Sequence, residues 1–481
     1  MDSAGMVVGS EGNSVDVLVH DPGIELGSIL RIGDHYGIVA GMQYLEDEKI
    51  GGRQKLIART QIFGRLEGGR LRKVKRPVKP HERVRLAGVE ELEGILSSDD
   101  TISFGNVYGT GARAYVKAGE YDRHIAVLAS TGSGKSFLTA NLVKEFSLLG
   151  LPIVIVDTHG EYLKLLAKLG EDHQLNVETY TVRHGRQGVK SLKIPVADLT
   201  AMDFRHFASL NDNQVYSLEV VLSRLADRKG ARGYALDDVI EECDKVIALT
   251  QDKTSKTEVH EESAKALKRR MSGLKMMFKD IFDLTGTDVA RLVKPYQITL
   301  IDASLATQAV RQSVISYLSK KILDGRISRV NELGGGIDDP VLFVVEEAHN
   351  YAGDKVTHSC KRQLQRIASE GRKFGVGLLV VSQKPSKIDE EILSQCNSGV
   401  YMHITNPRDK EHIKKSFECI NEDIVRDLDS LDVGECIIAG AILDIPFLMC
   451  TVDRIEIKGG GESKFRFEKK TGVKTGGFDY V

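Results

Sequence analysis

The 481-residue sequence predicts an α/β protein: a doubly wound, parallel-rich sheet, preceded by a small all-β unit and interrupted by a helical block. Three observations predict it. The runs HIAVLAS, PIVIVDT, QITLIDA, PVLFVVEE and VGLLVVSQ are apolar at successive positions and do not alternate. Strands of that kind are covered on both faces, as in a parallel sheet between helices. Apolar residues recur at helical spacing between several of these runs, first as Leu138, Leu142, Phe146 and Leu149, later as Val310, Val314, Tyr317 and Leu318. The first hundred residues instead show short apolar runs broken by Gly and Asp.

Taken in chain order, residues 1–100 read as a small barrel or sandwich, which requires runs such as GSILRIGDHYGIVAGM to be broken by Gly and Asp turns. The stretch GGRLRKVKRPVKPHERVR places Arg70, Arg72, Lys73, Lys75, Arg76, Lys79, Arg83 and Arg85 against Glu82. It reads either as a solvated face or as a surface for a phosphate backbone. The α/β core takes residues 101–198 and 293–455. Between them, residues 199–292 are helical, with one apolar stripe at Val215, Leu218, Leu222 and Leu225 and another at Leu267, Met271, Leu274, Phe278 and Ile281. Lys265, Lys268, Arg269, Lys275 and Lys279 cover the solvent side of this block, and LTQDKTSKTEVHEES is an exposed loop. GECIIAGAILDIPFLMCTVD reads as a hairpin or edge-strand pair, and residues 456–481 as a polar, Gly-interrupted tail that is either flexible or docked on a neighbour.

Composition is that of a globular protein, 41% hydrophobic and 28% charged. Net charge is −2, so no global field draws the chain to nucleic acid or membrane, and any basic surface is local. The six cysteines form no CxxC pair, which argues against a disulfide framework or a zinc site and fits a reducing compartment. MDSAGMVVGSEG lacks the basic-then-apolar pattern of a secretory signal. No apolar run approaches the ~18–20 residues of a spanning helix. The expectation is a cytoplasmic protein without a membrane partner.

ASTGSGKSF, Ala129 to Phe137, falls between the strand HIAVL and a helix, where a phosphate-binding loop belongs. Gly132 and Gly134 let the backbone turn tightly enough to aim several N–H groups at one point. The helix that follows adds the positive end of its dipole. Lys135 would bridge the outer phosphates and the Ser136 hydroxyl would hold Mg²⁺. Ser130, Thr131, Gly132, Ser133, Gly134, Lys135, Ser136 and Phe137 are therefore expected to line a nucleotide. The pattern departs from G-x-x-x-x-G-K-[ST] only at Ala129, a small residue that keeps the turn.

VLFVVEEAHNY ends an apolar run in two acids, Glu346 and Glu347. A triphosphate with Mg²⁺ needs one acid for the metal and another to polarise the attacking water. Neighbours on a strand point to opposite faces, but at a strand end the backbone can turn and bring both to one cleft. Glu346 is assigned to the metal and Glu347 to the water. The other reading is one functional acid beside a solvated one, and because the first acid is usually Asp, the division of roles stays open.

Further residues point to the same cleft. VIVDTHGEY ends a core strand with Asp157, His159 and Glu161; Asp157 either contacts the nucleotide or caps the turn, and His159 reads as a packed histidine. Gln383, at the end of VVSQKPS, offers an amide to the γ-phosphate. SEGRKFG presents Arg372 and Lys373 after a helix. Arg372 is either an arginine finger or a surface cation. Arg123, just before the loop's strand, is a second cation able to approach phosphate.

In their order along the chain, RHIAVLASTGSGKS, DTHGEY, VVEEAHNY, EGRKFG and SQKPS, with the N-terminal β unit and the helical insertion, resemble the HerA–FtsK family of hexameric translocases, its archaeal HerA members most closely. The resemblance implies a RecA-like P-loop core behind an N-terminal β-barrel, with ATP and Mg²⁺ as cofactors. It also implies six subunits in a ring around a channel that pumps double-stranded DNA. By the same resemblance Lys135 and Ser136 match the Walker A pair, Glu346 and Glu347 the Walker B pair, Arg372 a finger acting on a neighbour's site and Gln383 a sensor. It further implies DNA-dependent ATP hydrolysis with helicase action, and work beside a NurA-type nuclease docked on the barrel, in DNA-end resection for recombinational repair. Two other classes fit a similar core: a secretion or conjugation motor, and a nucleotide-gated DNA clamp that scarcely hydrolyses.

Overall fold

The structure, a computed structural model, describes residues 3–47, 53–67, 70–183, 189–252, 259–356 and 359–456. Part of the expected exposed loop (253–258) and nearly all of the tail (457–481) lie outside the described residues.

The chain begins with β1 (Gly5–Glu11), β2 (Ser14–Val19), β3 (Ile29–Ile32), β4 (His35–Asp47), β5 (Arg53–Glu67), β6 (Arg70–Arg72) and β7 (Arg83–Leu86). These pair in the order β2-β1-β7-β3-β4-β5-β6, and a further β2–β5 pairing closes six of the seven into a barrel. Alternation sends every second residue inward. Val7, Val15, Val17, Leu30, Ile32, Val39, Ile62 and Val84 fill the barrel as a core of their own. Helix α1 (Val89–Leu96) follows. Its Glu91 accepts from Arg85 at 2.7 and 2.8 Å and from Arg31 at 2.5 Å, pinning the helix to the barrel.

The larger sheet is assembled from β8 (Thr101–Val107), β9 (Arg113–Lys117), β10 (Ile125–Leu128), β11 (Ile153–Asp157), β12 (Asn176–Thr181) and β13 (Lys190–Ser191), with helices α2 (Lys135–Leu148) and α3 (Tyr162–His173) between them. A short β14 (Ile194–Pro195) leads into the helical block: α4 (Ala201–Ala208), α5 (Asp212–Lys229), α6 (Leu236–Gln251) and α7 (Glu261–Met277), closed by β15 (Phe282–Asp283). Both expected stripes are buried here, on α5 and on α7 with the Phe278 and Ile281 that follow it. Lys265 pairs with Glu261 at 2.7 Å and Lys268 with Asp244 at 2.6 Å on the solvent side.

The chain then re-enters the sheet through β16 (Gln297–Asp302), α8 (Gln308–Val330), β17 (Val341–Val345), α9 (Ser359–Glu370), β18 (Val376–Ser382), α10 (Glu390–Gln395) and β19 (Ser398–Tyr401). It ends in α11 (Pro407–Ser416), α12 (Glu422–Arg426), β20 (Glu435–Gly440) and β21 (Phe447–Val452). The order is β13-β12-β16-β11-β17-β18-β10-β19-β20-β21-β8-β9. Strands from β13 to β19 run parallel, which accounts for the uniform burial of those from β16 to β19, while β12 and β13 at the edge are partly exposed. From β19 outward the pairing is antiparallel. No helix among the described residues is long and apolar enough to cross a membrane.

One consequence of this order positions the site. Parallel strands put all their carboxyl ends on one edge, where α/β sheets bind ligands. β18 lies between β10 and β17, so the glycine-rich loop and the acid pair stand about two strand widths, ~10 Å, apart. The end of β18 faces the gap between them.

Candidate active site

The loop from Ala129 to Gly134 is tied to its neighbours through backbone groups. The Ala129 N–H donates to Ser382 C=O at 3.1 Å, the Ser130 N–H to His403 C=O at 2.9 Å, and the Gly434 N–H to Ser133 C=O at 3.0 Å. Gly132 and Gly134 sit at φ +81° and +100°, the left-handed region that strains residues with a side chain. A Cβ on Gly132 would meet nothing within 4 Å. Backbone angle rather than space demands that glycine, and the loop encloses an open cradle. Helix α2 starts at Lys135, so its positive end faces the cradle.

Glu346 and Glu347 reach one cleft because the backbone turns at the second of them. Glu347 has φ +48° and ψ +44°, a conformation uncommon for a residue with a side chain. Lys135 Nζ consequently lies 3.2 Å from Glu347 Oε1 and 3.9 Å from Glu346 Oε1, with the three side chains 7%, 2% and 0% exposed. Gln383, one residue past β18, donates from Nε2 to Glu347 Oε1 and accepts at Oε1 from the Thr131 hydroxyl. Its amide thus links the glycine-rich loop to the acid pair. His349 Nδ1 is 3.2 Å from Glu347 Oε2 and 3.1 Å from Ser382 Oγ.

Glu346 Oε2 accepts from the N–H and hydroxyl of Thr158 at 3.0 and 3.1 Å, and His159 Nδ1 stands 3.7 Å away. Burial pushes this carboxyl up, but His159, Lys135 and the Thr158 amide outweigh it and hold it below the usual carboxylate range. Its Oε1 is buried and accepts no hydrogen bond. Ligand atoms of His159, Glu346 and Glu347 lie within 4.8 Å of one another. The orphaned oxygen, the acid pair and the open cradle fit a phosphate-bound divalent cation, for which oxygen donors are suited.

The other expected site residues divide. Ser136 donates its hydroxyl to Glu161 Oε2. Asp157 accepts the backbone N–H groups of His159, Gly160 and Tyr162 at 3.1, 2.7 and 3.0 Å. Its carboxyl serves the turn that starts α3, and burial together with Glu346 pushes it up to about 6. Phe137 is 38% exposed on the first turn of α2. Arg123 and Arg372 precede β10 and β18, so they lie on the opposite edge from the same chain's cradle. β10 spans four residues and β18 seven, or ~13 and ~23 Å of strand. Arg123 pairs with Glu120 at 2.7 Å. Arg372 is exposed and makes no ion pair among the described residues.

The turn that carries Arg372, Gly371–Phe374, is clamped from both sides. Buried Arg326 donates to Phe374 C=O at 2.8 Å and to Ile337 C=O at 2.9 Å. His124 holds Ala368 C=O at Nε2 and the Leu378 N–H at Nδ1, both at 3.0 Å.

DTHGEY was expected at the cleft, but with His159 as a packed histidine and Glu161 without a role, and His349 was not expected there. Their signal was present: HGEY follows a core strand that ends on the same edge as the cradle, and His349 comes two residues after the acid pair.

The fold and site define a P-loop NTPase with a RecA-like core. The family description "Helicase HerA, central domain" matches residues 102–322. The chain is 31% identical over 388 residues to the DNA double-strand break repair helicase HerA of Saccharolobus solfataricus, covering 78% of this chain and 73% of that protein. It is 29% identical over 411 residues to the protein of the same name from Sulfurisphaera tokodaii, covering 84% and 79%. Its fold is similar to that of the plasmid coupling protein TrwB in complex with ADP and Mg²⁺, with a TM-score of 0.53, 13% identity, and 78% of this chain and 94% of that one covered. The chain belongs to the HerA family.

Proposed function

We propose that this chain is an ATP-driven double-stranded DNA translocase and helicase, acting in the cytoplasm as a homo-hexameric ring in DNA-end resection and recombinational repair with a NurA-type nuclease. The observation that carries the reading is the convergence of Lys135, Glu346, Glu347 and Gln383 on one edge of the sheet, with Arg372 exposed on the other.

Bound Mg²⁺–ATP supplies the electrophilic phosphorus and the metal's charge. Amides between Thr131 and Lys135 and the Lys135 ammonium would hold the phosphates, the Ser130 N–H being already taken by the His403 carbonyl, while Ser136 and Glu346 would hold the metal. Glu347 accepts the proton of the attacking water. Gln383, bonded to both Thr131 and Glu347, keeps that carboxylate aligned and couples its position to the loop. A neighbouring subunit's Arg372 neutralises the charge that develops on the transferred group. Hydrolysis is thereby coupled to assembly.

The test is ATP turnover with and without duplex DNA. Turnover is expected to rise with duplex and to vanish in Lys135→Ala. Turnover indifferent to DNA would remove the motor reading.

A further inference from the structure

The barrel carries a basic groove that the ATP site does not use. Arg65, Arg72, Lys73, Lys75, Arg76 and Lys79 line a concavity of about 400 Å³, opposed by Glu67 and Glu82. Glu67 is shared between Arg65 and Arg72 at 3.6 and 3.5 Å. Lys73, Lys75, Arg76 and Lys79 are exposed and form no ion pair among the described residues.

The local sequence builds this surface. In RKVKRPVKP, Val78 is buried in the barrel core and Val74 packs against it, so the cations between them face outward. Pro77 and Pro80 restrict the backbone. The His81 N–H donates to Val7 C=O at 2.9 Å and the Val7 N–H to Glu82 C=O at 3.0 Å, which stitches the segment to β1. Uncompensated charges on a braced segment are held ready for an anion at little ordering cost.

We propose that this rim binds the phosphodiester backbone of duplex nucleic acid. Among the described residues the lining contains no Phe, Tyr or Trp, so it lacks the stacking platform that single strands use. Half of its cations are lysines, a residue depleted at protein interfaces but common on phosphate. Such contacts are blind to base sequence and sensitive to salt. The proposal rests on the DNA-handling reading above, and its test separates the two.

The experiment uses the full chain and a fluorescent duplex, titrated over a range of salt by anisotropy. Replacing Lys73, Lys75 and Arg76 together by Ala should make the slope of log affinity against log salt shallower by about 2–3 and weaken binding roughly 10–100-fold at moderate salt. ATP turnover without DNA should match the parent, and Arg at all three positions should restore binding. A parent that binds duplex and a variant with the same slope would overturn the proposal. A variant that keeps duplex affinity but no longer co-migrates with the nuclease would also overturn it, reassigning the rim to protein docking. A parent without any duplex binding would overturn the DNA-handling reading itself.

Discussion

Lys135 and Glu347, 212 residues apart in the chain, form a buried ion pair with Nζ 3.2 Å from Oε1. The pair joins the first residue of α2 to the left-handed turn after β17. It also makes Glu347 and a bound nucleotide competitors for one ammonium: phosphate oxygens entering the cradle would seek the Lys135 Nζ that Glu347 holds.

Glu347→Gln should therefore separate binding from chemistry. Turnover should fall about 10²–10⁴-fold, as expected for loss of a general base. ATP affinity should rise about tenfold, equivalent to ~1.4 kcal/mol, because the neutral amide no longer competes for Lys135. Equilibrium binding of a labelled nucleotide beside steady-state hydrolysis measures both. A variant that binds ATP more weakly than the parent contradicts the assigned competition.

Arg372→Ala should lower turnover about 10³-fold or more if it completes a neighbour's site. Mixing Arg372→Ala with Lys135→Ala chains should restore hydrolysis at those interfaces where both groups are intact. Mixed assemblies, verified by mass, that stay inactive would place the guanidinium's role elsewhere.

Glu161 accepts the hydroxyl proton of Ser136, which leaves an oxygen lone pair free for a metal. Glu161→Ala should raise the Mg²⁺ concentration needed for half-maximal turnover about 10–100-fold, as for other groups that orient a ligand. Glu161→Gln, which retains an acceptor, should stay near the parent. Identical Mg²⁺ titrations for Ala and the parent would show that the contact is incidental.

His124 is bonded at both ring nitrogens as a neutral imidazole. Burial pulls it down to about 4, and Arg372 acts in the same direction against the Ala368 carbonyl. The unfolded chain takes up this proton near pH ~6.5, well before the folded one does. Below that point the unfolded state binds more protons, so stability falls as pH drops through the window between the two values. From about pH 7.5 to pH 5 the loss is about 2 kcal/mol. His124→Gln should flatten this part of the urea-midpoint profile. Parallel profiles for the two proteins would rule out His124 as the source.

Much of this was legible in the sequence because it depends on local pattern. Uniformly apolar runs marked the buried parallel strands, and GKS between a strand and a helix marked the cradle. The two acids at the end of VLFVV were recognisable because a buried strand seldom carries charge. Strand order was not legible. β18 falls between β10 and β17 through the packing of crossover helices, a long-range property that no short window contains. The fate of DTHGEY was equally hidden. Asp157 turns back onto its own backbone while His159 and Glu161 face the acids and the cradle, and this depends on how the first turn of α3 is wound. The opposite placement of Arg123 and Arg372 follows only once the strands are known to run parallel.

That placement gives the subunit a direction. Head-to-tail association, in which each Arg372 would serve the next subunit's pocket as proposed above, either closes on itself or continues as a filament. A closed assembly of this kind has unlike front and back faces, so a thread passing through it meets a polar machine. Vectorial travel would then trace to the shared orientation of a few buried strands.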